Sequence, residues 1–145
     1  MSGAIGRLTP TWADEPVHAG QRAETHVMAT TELTDANFEK VTSGEGIVLI
    51  DFWADWCGPC KRFAPTYEKL SEKHPDIVFG KLDTEANPNT AREFNIRSIP
   101  TIMMVRDGVI VHSQAGALPE SILEALIKQV RELDMDEIRA KLATA

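Results

Sequence analysis

Seven consecutive residues, Ile47-Val48-Leu49-Ile50-Asp51-Phe52-Trp53, are apolar but for one aspartate and show no alternation. A strand with that pattern is covered on both faces, as in parallel or mixed sheets. Beyond it, Phe63, Tyr67 and Leu70 recur at helical spacing, and His74-Pro75 stops the run, which predicts a helix starting near Cys57. Pro65 lies inside that helix and predicts a kink. Thr30–Leu33 reads as a short first strand and Thr34 as the N-cap of a helix over 35–42, with Leu33 and Phe38 at the two staple positions. Gly44 and Gly46 end it. Ile77–Leu82 reads as a third strand, and Asn87-Pro88 as a cap and first-turn proline opening a short helix that ends near Asn95. Thr101–Val105 and Val109–His112 flank Asp107-Gly108, a two-residue hairpin signal. Pro119 opens the last main helix, with Ile122, Leu126, Val130 and Leu133 on one face.

The resulting order, β-α-β-α-β-α-β-β-α, predicts an α/β fold with a central mixed sheet flanked by helices on both faces. Residues 1–27 have no periodicity and hold Pro10, Pro16 and scattered charges, so they read as a disordered leader. Met28 is a candidate start, with the stretch before it an expression remnant or an upstream start. The expected division is a leader over 1–27, a domain over 28–133 and a C-terminal helical extension or tail over 134–145, where Ile138 and Leu142 make a short apolar stripe.

Charge narrows the partners. The chain of 145 residues carries a net −7, which disfavours nucleic acid and anionic membrane. No segment approaches the roughly 18–20 apolar residues of a membrane span, and the N-terminus lacks an apolar signal core. A cytoplasmic monomer is the expectation. The two cysteines leave no room for a disulfide-stapled secreted scaffold.

Those two cysteines carry the chemistry. Trp56-Cys57-Gly58-Pro59-Cys60 follows the long strand directly and opens a helix. Cys57 precedes the helix, where free N–H groups and the positive dipole end stabilise a thiolate. Cys60, three residues on, lands on the same side and is expected to be the more buried of the two. Cys57 is then the nucleophile and Cys60 the resolving thiol of a dithiol that closes into a disulfide. Asp51, the single charge in the strand, is the candidate base: an unpaired buried carboxylate has a raised pKa and accepts a proton near neutrality. The alternative is an Asp51 that points outward at a strand end. Zinc would need four ligands, and the four histidines are scattered, so no metal is expected. Pro100, at the start of a strand, is read without assigning its bond as cis or trans.

Taken together, Asp51-Phe52-Trp53-Ala54, Trp56 to Lys61, Pro65, Ile99-Pro100-Thr101, Asp107-Gly108 and Gly116-Ala117 resemble the thioredoxin family, in order and over about residues 30–132. The similarity is to the short bacterial cytosolic type, in an actinobacterial flavour. The Gly-Pro pair between the cysteines resembles reducing members. The resemblance implies the thioredoxin fold, a cis Pro100 packed against the dithiol, and an Ile99 backbone presented to an extended substrate. It implies a flat docking surface of Trp56, Gly58, Pro59, Ile99, Pro100 and Gly116, and a Lys81 that tunes Asp51. It implies no cofactor beyond the redox-active Cys57–Cys60 disulfide, with electrons from NADPH through a flavoprotein thioredoxin reductase and disulfide-containing proteins as substrates. Ser98 and both tails depart from the common pattern. A binding adaptor of the same fold would have lost a cysteine or the proline; a thiol oxidant or isomerase would differ in reduction potential.

Overall fold

In a computed structural model the structure describes residues 29–144, and the leader expected over 1–27 lies outside them. Five strands, β1 (Thr30–Leu33), β2 (Ile47–Trp53), β3 (Val78–Asp83), β4 (Thr101–Arg106) and β5 (Val109–Ala115), form one sheet in the order β1-β3-β2-β4-β5. β1 and β2 both pair parallel with β3, whereas β4 runs antiparallel to β2 and β5. Five helices accompany it: α1 (Phe38–Thr42), α2 (Gly58–Lys73), α3 (Pro88–Glu93), α4 (Glu120–Arg131) and α5 (Met135–Thr144).

Alternation along the strands divides the core in two. Ile47, Leu49, Phe79, Ile102 and Met104 face α2 and α4, meeting Phe63, Tyr67, Leu70, Leu123, Ile127 and Val130. Val48, Ile50, Phe52, Leu82, Met103 and Val105 face the other way, toward Phe38 and the half-buried Phe94 and Ile96. Because β2 is covered on both sides, its residues are apolar without alternation. Each fully buried large side chain contributes about 1.5–3 kcal/mol. Tyr67 adds a T-shaped contact with Phe79 at 5.2 Å and donates its hydroxyl to the Gly80 carbonyl at 2.7 Å, which satisfies an otherwise buried polar group. Gly80 is required for space: a Cβ there would overlap the Leu33 side chain and lie 3.3 Å from the Leu49 carbonyl oxygen. Gly80→Ala is expected to destabilise the fold by about 1–3 kcal/mol in a denaturant melt, since Leu33 is fully buried and has nowhere to move.

Several elements differ from the sequence reading. A turn at 35–37 precedes α1; the Asn37 N–H donates to Thr34 Oγ1 and the Thr34 N–H to Asn37 Oδ1, a reciprocal cap. β3 starts one residue late, at Val78, and α3 ends at Glu93. Asn87 stands at the N-cap of α3 but its side chain caps nothing. Instead Asp35, fifty-five residues away in sequence from Thr90, accepts that residue's N–H at 2.8 Å and its hydroxyl at 2.6 Å. These bonds hold the Asp35 carboxyl below its ordinary pKa, the Thr90 hydroxyl first. The hairpin strands run longer than expected, to Arg106 and Ala115, and β5 carries a bulge opposite Met104 and Val105. Asp107 and Gly108 both take positive φ, 52° and 81°, as its turn demands.

The buried face of α4 is rotated from the expected one. Leu123, Ile127 and Val130 are buried, Leu126 is half-buried, and Ile122 is exposed. α5 is a separate helix rather than a continuation of α4. The Arg106 guanidinium takes the carbonyls of Val130, Arg131 and Leu133, ending α4, and Asp134 Oδ1 accepts the N–H groups of Asp136 and Glu137, starting α5. Among the described residues, no helix is long and apolar enough to cross a membrane.

Candidate active site

β2 ends at Trp53, and Ala54 begins the turn that delivers Cys57 to the N-cap of α2. The Cys57 N–H bonds back to the Ala54 carbonyl at 3.1 Å, while the Cys57 sulfur accepts the Cys60 N–H at 3.2 Å. A side chain thus fills the capping position that Ser or Asp usually holds, and it does so with sulfur. Pro59 in the first turn lacks an N–H, so it leaves no donor competing there. Cys57 and Cys60 are joined as a disulfide with Cα atoms 5.3 Å apart. Unlike the sequence reading, the two cysteines are equally buried, each 3% exposed, because Ile99, Trp53 and Ala54 close over both.

The second half of the site comes from the start of β4. The Ile99–Pro100 bond is cis, and the Ile99 carbonyl oxygen lies 3.8 Å from Cys57 Sγ. Gly116, at φ 106°, donates its N–H to the Pro100 carbonyl at 2.7 Å, so the end of β5 lies beside the proline. Trp56 stands out at 68% exposure, its indole N–H donating to Glu85 at 3.2 Å. Gly58 and Pro59 are exposed on the first turn of α2. Trp56, Gly58, Pro59, Ile99, Pro100 and Gly116 thus come from three chain segments. Glu85 was not foreseen; nothing local in the sequence marks a carboxylate twenty-nine residues away as the partner of Trp56.

Asp51 lies behind this surface. Alternation on β2 turns it to the α2 side of the sheet with Ile47 and Leu49. It is 1% exposed, and neither carboxylate oxygen has a hydrogen-bond partner. Burial pushes its pKa up to about 7, opposed by the positive charge of Lys81. Lys81 is its register partner on β3, half-buried, with Nζ 5.0 Å above the Trp53 ring. Burial and the nearby Asp51 charge push the Tyr67 hydroxyl well above its ordinary range. No group of three or more His, Cys, Asp or Glu side chains that could hold a metal occurs among the described residues.

The chain joins a redox pair at a helix N-cap, a cis proline facing it and a buried carboxylate behind it, and the family model described as Thioredoxin matches its residues 29–129. The chain belongs to the thioredoxin family. It is 56% identical over 115 residues to a Streptomyces coelicolor protein described as "Putative thioredoxin 2", covering 79% of this chain and 86% of that one. It is 44% identical over 103 residues to the thioredoxin of Alicyclobacillus acidocaldarius, covering 70% and 98%. A solved chain from a study of thiol resolution in yeast mitochondrial 1-Cys peroxiredoxin by glutathione and thioredoxin systems superposes with a TM-score of 0.65 at 33% identity, covering 71% of this chain and 97% of that one. This bacterial thioredoxin is a dithiol–disulfide oxidoreductase, a protein-disulfide reductase whose redox centre is the Cys57–Cys60 pair.

Proposed function

We propose that this thioredoxin reduces protein disulfides with Cys57 as nucleophile, Cys60 as resolving thiol and Asp51 as the base that serves Cys60. The observation that carries the reading is the sulfur of Cys57 at the N-cap of α2, accepting the Cys60 N–H at 3.2 Å. A donor aimed at sulfur stabilises the thiolate more than the thiol, and the helix end adds to it.

The reduced Cys57 thiolate attacks one sulfur of a substrate disulfide. A Cys57–substrate bond forms, the substrate S–S bond breaks, and the other substrate sulfur leaves as a thiolate that takes a proton from solvent. Cys60 then gives its proton toward Asp51 and attacks Cys57. The Cys57–Cys60 bond forms, the mixed disulfide breaks, and the substrate leaves fully reduced by two electrons. Asp51 is suited to this because its pKa near 7 matches the working pH. Lys81 tunes that value by its charge. The substrate lies extended across Trp56, Gly58, Pro59, Ile99, Pro100 and Gly116, with the Ile99 backbone as its nearest partner to the dithiol. The catalytic unit is residues 28–133, with α5 an appendage.

The oxidised pair is returned to the dithiol by a flavoprotein thioredoxin reductase using NADPH; the chain itself needs no further cofactor. The setting is the cytoplasm, and the working form is the monomer. Mixing the protein with NADPH, a bacterial thioredoxin reductase and insulin tests the reading. Sustained NADPH consumption that depends on both proteins supports it. Equilibration with glutathione near −120 to −180 mV would assign it instead to the oxidants and isomerases.

A further inference from the structure

A groove of about 250 Å³ runs between the first turns of α2, where the dithiol sits, and the segment before α4. Pro59, Arg62, Phe63, Thr66 and the stretch Ala117 to Pro119 line it. No carboxylate lines it, although the chain as a whole is acidic at −7. The Arg62 guanidinium folds back over the first turn of the helix: its Nη1 stands 3.4 Å from where a Cβ on Gly58 would be. Gly58 lies between Cys57 and Cys60 in sequence, so the guanidinium stands over the turn that carries the dithiol. Arg62 is exposed and makes no hydrogen bond or ion pair among the described residues. Other arginines are engaged: Arg106 with three carbonyls, Arg131 with Asp76, Arg92 with Asn89 and Arg97 with Asn95.

We propose that Arg62 makes this groove a carboxylate-reading subsite, selecting substrate segments that carry an acidic residue next to the reacting cysteine. The inference rests on the reductase reading above and adds a specificity determinant to it. A guanidinium offers a planar fork that matches a carboxylate, and in a groove walled by Pro59, Phe63 and Leu118 that pairing is shielded from water on one side. The surrounding negative charge sharpens the discrimination. Acidic segments meet Arg62 as the cation lining the groove of a chain whose net charge repels them, so they dock in the register that brings them to it.

The test uses the full-length protein in its reduced form and three synthetic peptides. Each has one cysteine in a mixed disulfide with 2-mercaptoethanol, flanked on both sides by Glu, Gln or Lys. Single-turnover rate constants are read by rapid mixing, acid quench and chromatography, so no reductase is needed. Reduction of the Gln peptide by the wild-type protein reports on the reductase reading alone. The inference concerns only the ratio of Glu to Lys rates. Arg62→Glu is expected to lower that ratio about tenfold, roughly threefold in opposite directions on each peptide, as an exposed ion pair allows. Arg62→Lys should keep the wild-type order of the peptides, and added salt should compress the preference. Lys61→Glu makes the same charge change one residue away but outside the groove, and is expected to move the ratio less than half as far. An unchanged ratio in Arg62→Glu, an equal fall on all three peptides, or an equal shift in Lys61→Glu would each overturn the subsite.

Discussion

Replacing Cys57 with serine should reduce insulin reduction to the rate seen without the protein. A hydroxyl at the α2 N-cap keeps the hydrogen bond from the Cys60 N–H, so the fold is expected to hold. What it loses is nucleophilicity, because serine is not ionised at neutral pH and no general base is placed to activate it. Cys60→Ser should behave differently. Cys57 still attacks once, but nothing resolves the product, so the variant accumulates as a covalent complex with its substrate. Non-reducing electrophoresis after mixing with an oxidised protein reads this directly. Equal trapping by both variants would reverse or dissolve the assignment of roles. The experiment has particular force here because both cysteines are equally buried, each 3% exposed, so accessibility does not choose between them. The N-cap position does.

Asp51 should show the second large effect, and its direction depends on pH. Burial raises its pKa from 3.8 to about 7 in the fold, against the weaker pull of Lys81. A raised carboxylate pKa means that the folded state binds more protons than the unfolded one between those two values. The group therefore leaves the fold undisturbed below about pH 4, and stability is lost progressively as pH rises toward 7 and slightly beyond. Between pH 4.5 and 8.5 the loss amounts to about 3 kcal/mol, because each tenfold difference in proton affinity between the two states is worth about 1.4 kcal/mol. Asp51→Asn, close in shape and never charged, removes that dependence. In denaturant melts of the oxidised protein, the variant is expected to gain on the wild type by about 3 kcal/mol more at pH 8.5 than at pH 4.5. The same variant should slow resolution of the mixed disulfide by roughly 10²-fold while the first attack by Cys57 proceeds, since general-base help is worth about that much. A variant with the wild-type pH profile of stability, or with resolution at full speed, would take Asp51 out of the mechanism. The two readouts are independent: the first follows burial of charge alone, the second requires proton transfer.

What could be read from the chain alone was local. All five strands and the main helices were legible because each buries a stripe whose period shows in nearby residues: unbroken for β2, helical for Phe63, Tyr67 and Leu70. The redox pair was legible for the same reason. Two thiols three residues apart at a strand-to-helix turn define their own chemistry before any long-range contact forms. The lone acid in β2 was visible as an anomaly of composition, and its burial follows from its neighbours.

The tertiary structure decided whatever depends on residues far apart in sequence. The order β1-β3-β2-β4-β5 brings Lys81 opposite Asp51 and Pro100 beside Gly116. Asp35 caps α3 across more than fifty residues, where the sequence pointed to Asn87. The buried face of α4 turned by one position, to Leu123, because helical period leaves two neighbouring stripes open and packing against the α2 side of the sheet selects between them. α5 broke away from α4 because Arg106, on β4, captures the terminal carbonyls. Glu85 reached Trp56, and the Arg62 guanidinium came to rest over Gly58. Periodicity records only which side of an element is apolar; which partner that side meets, and which charge is left without one, is settled when the elements pack.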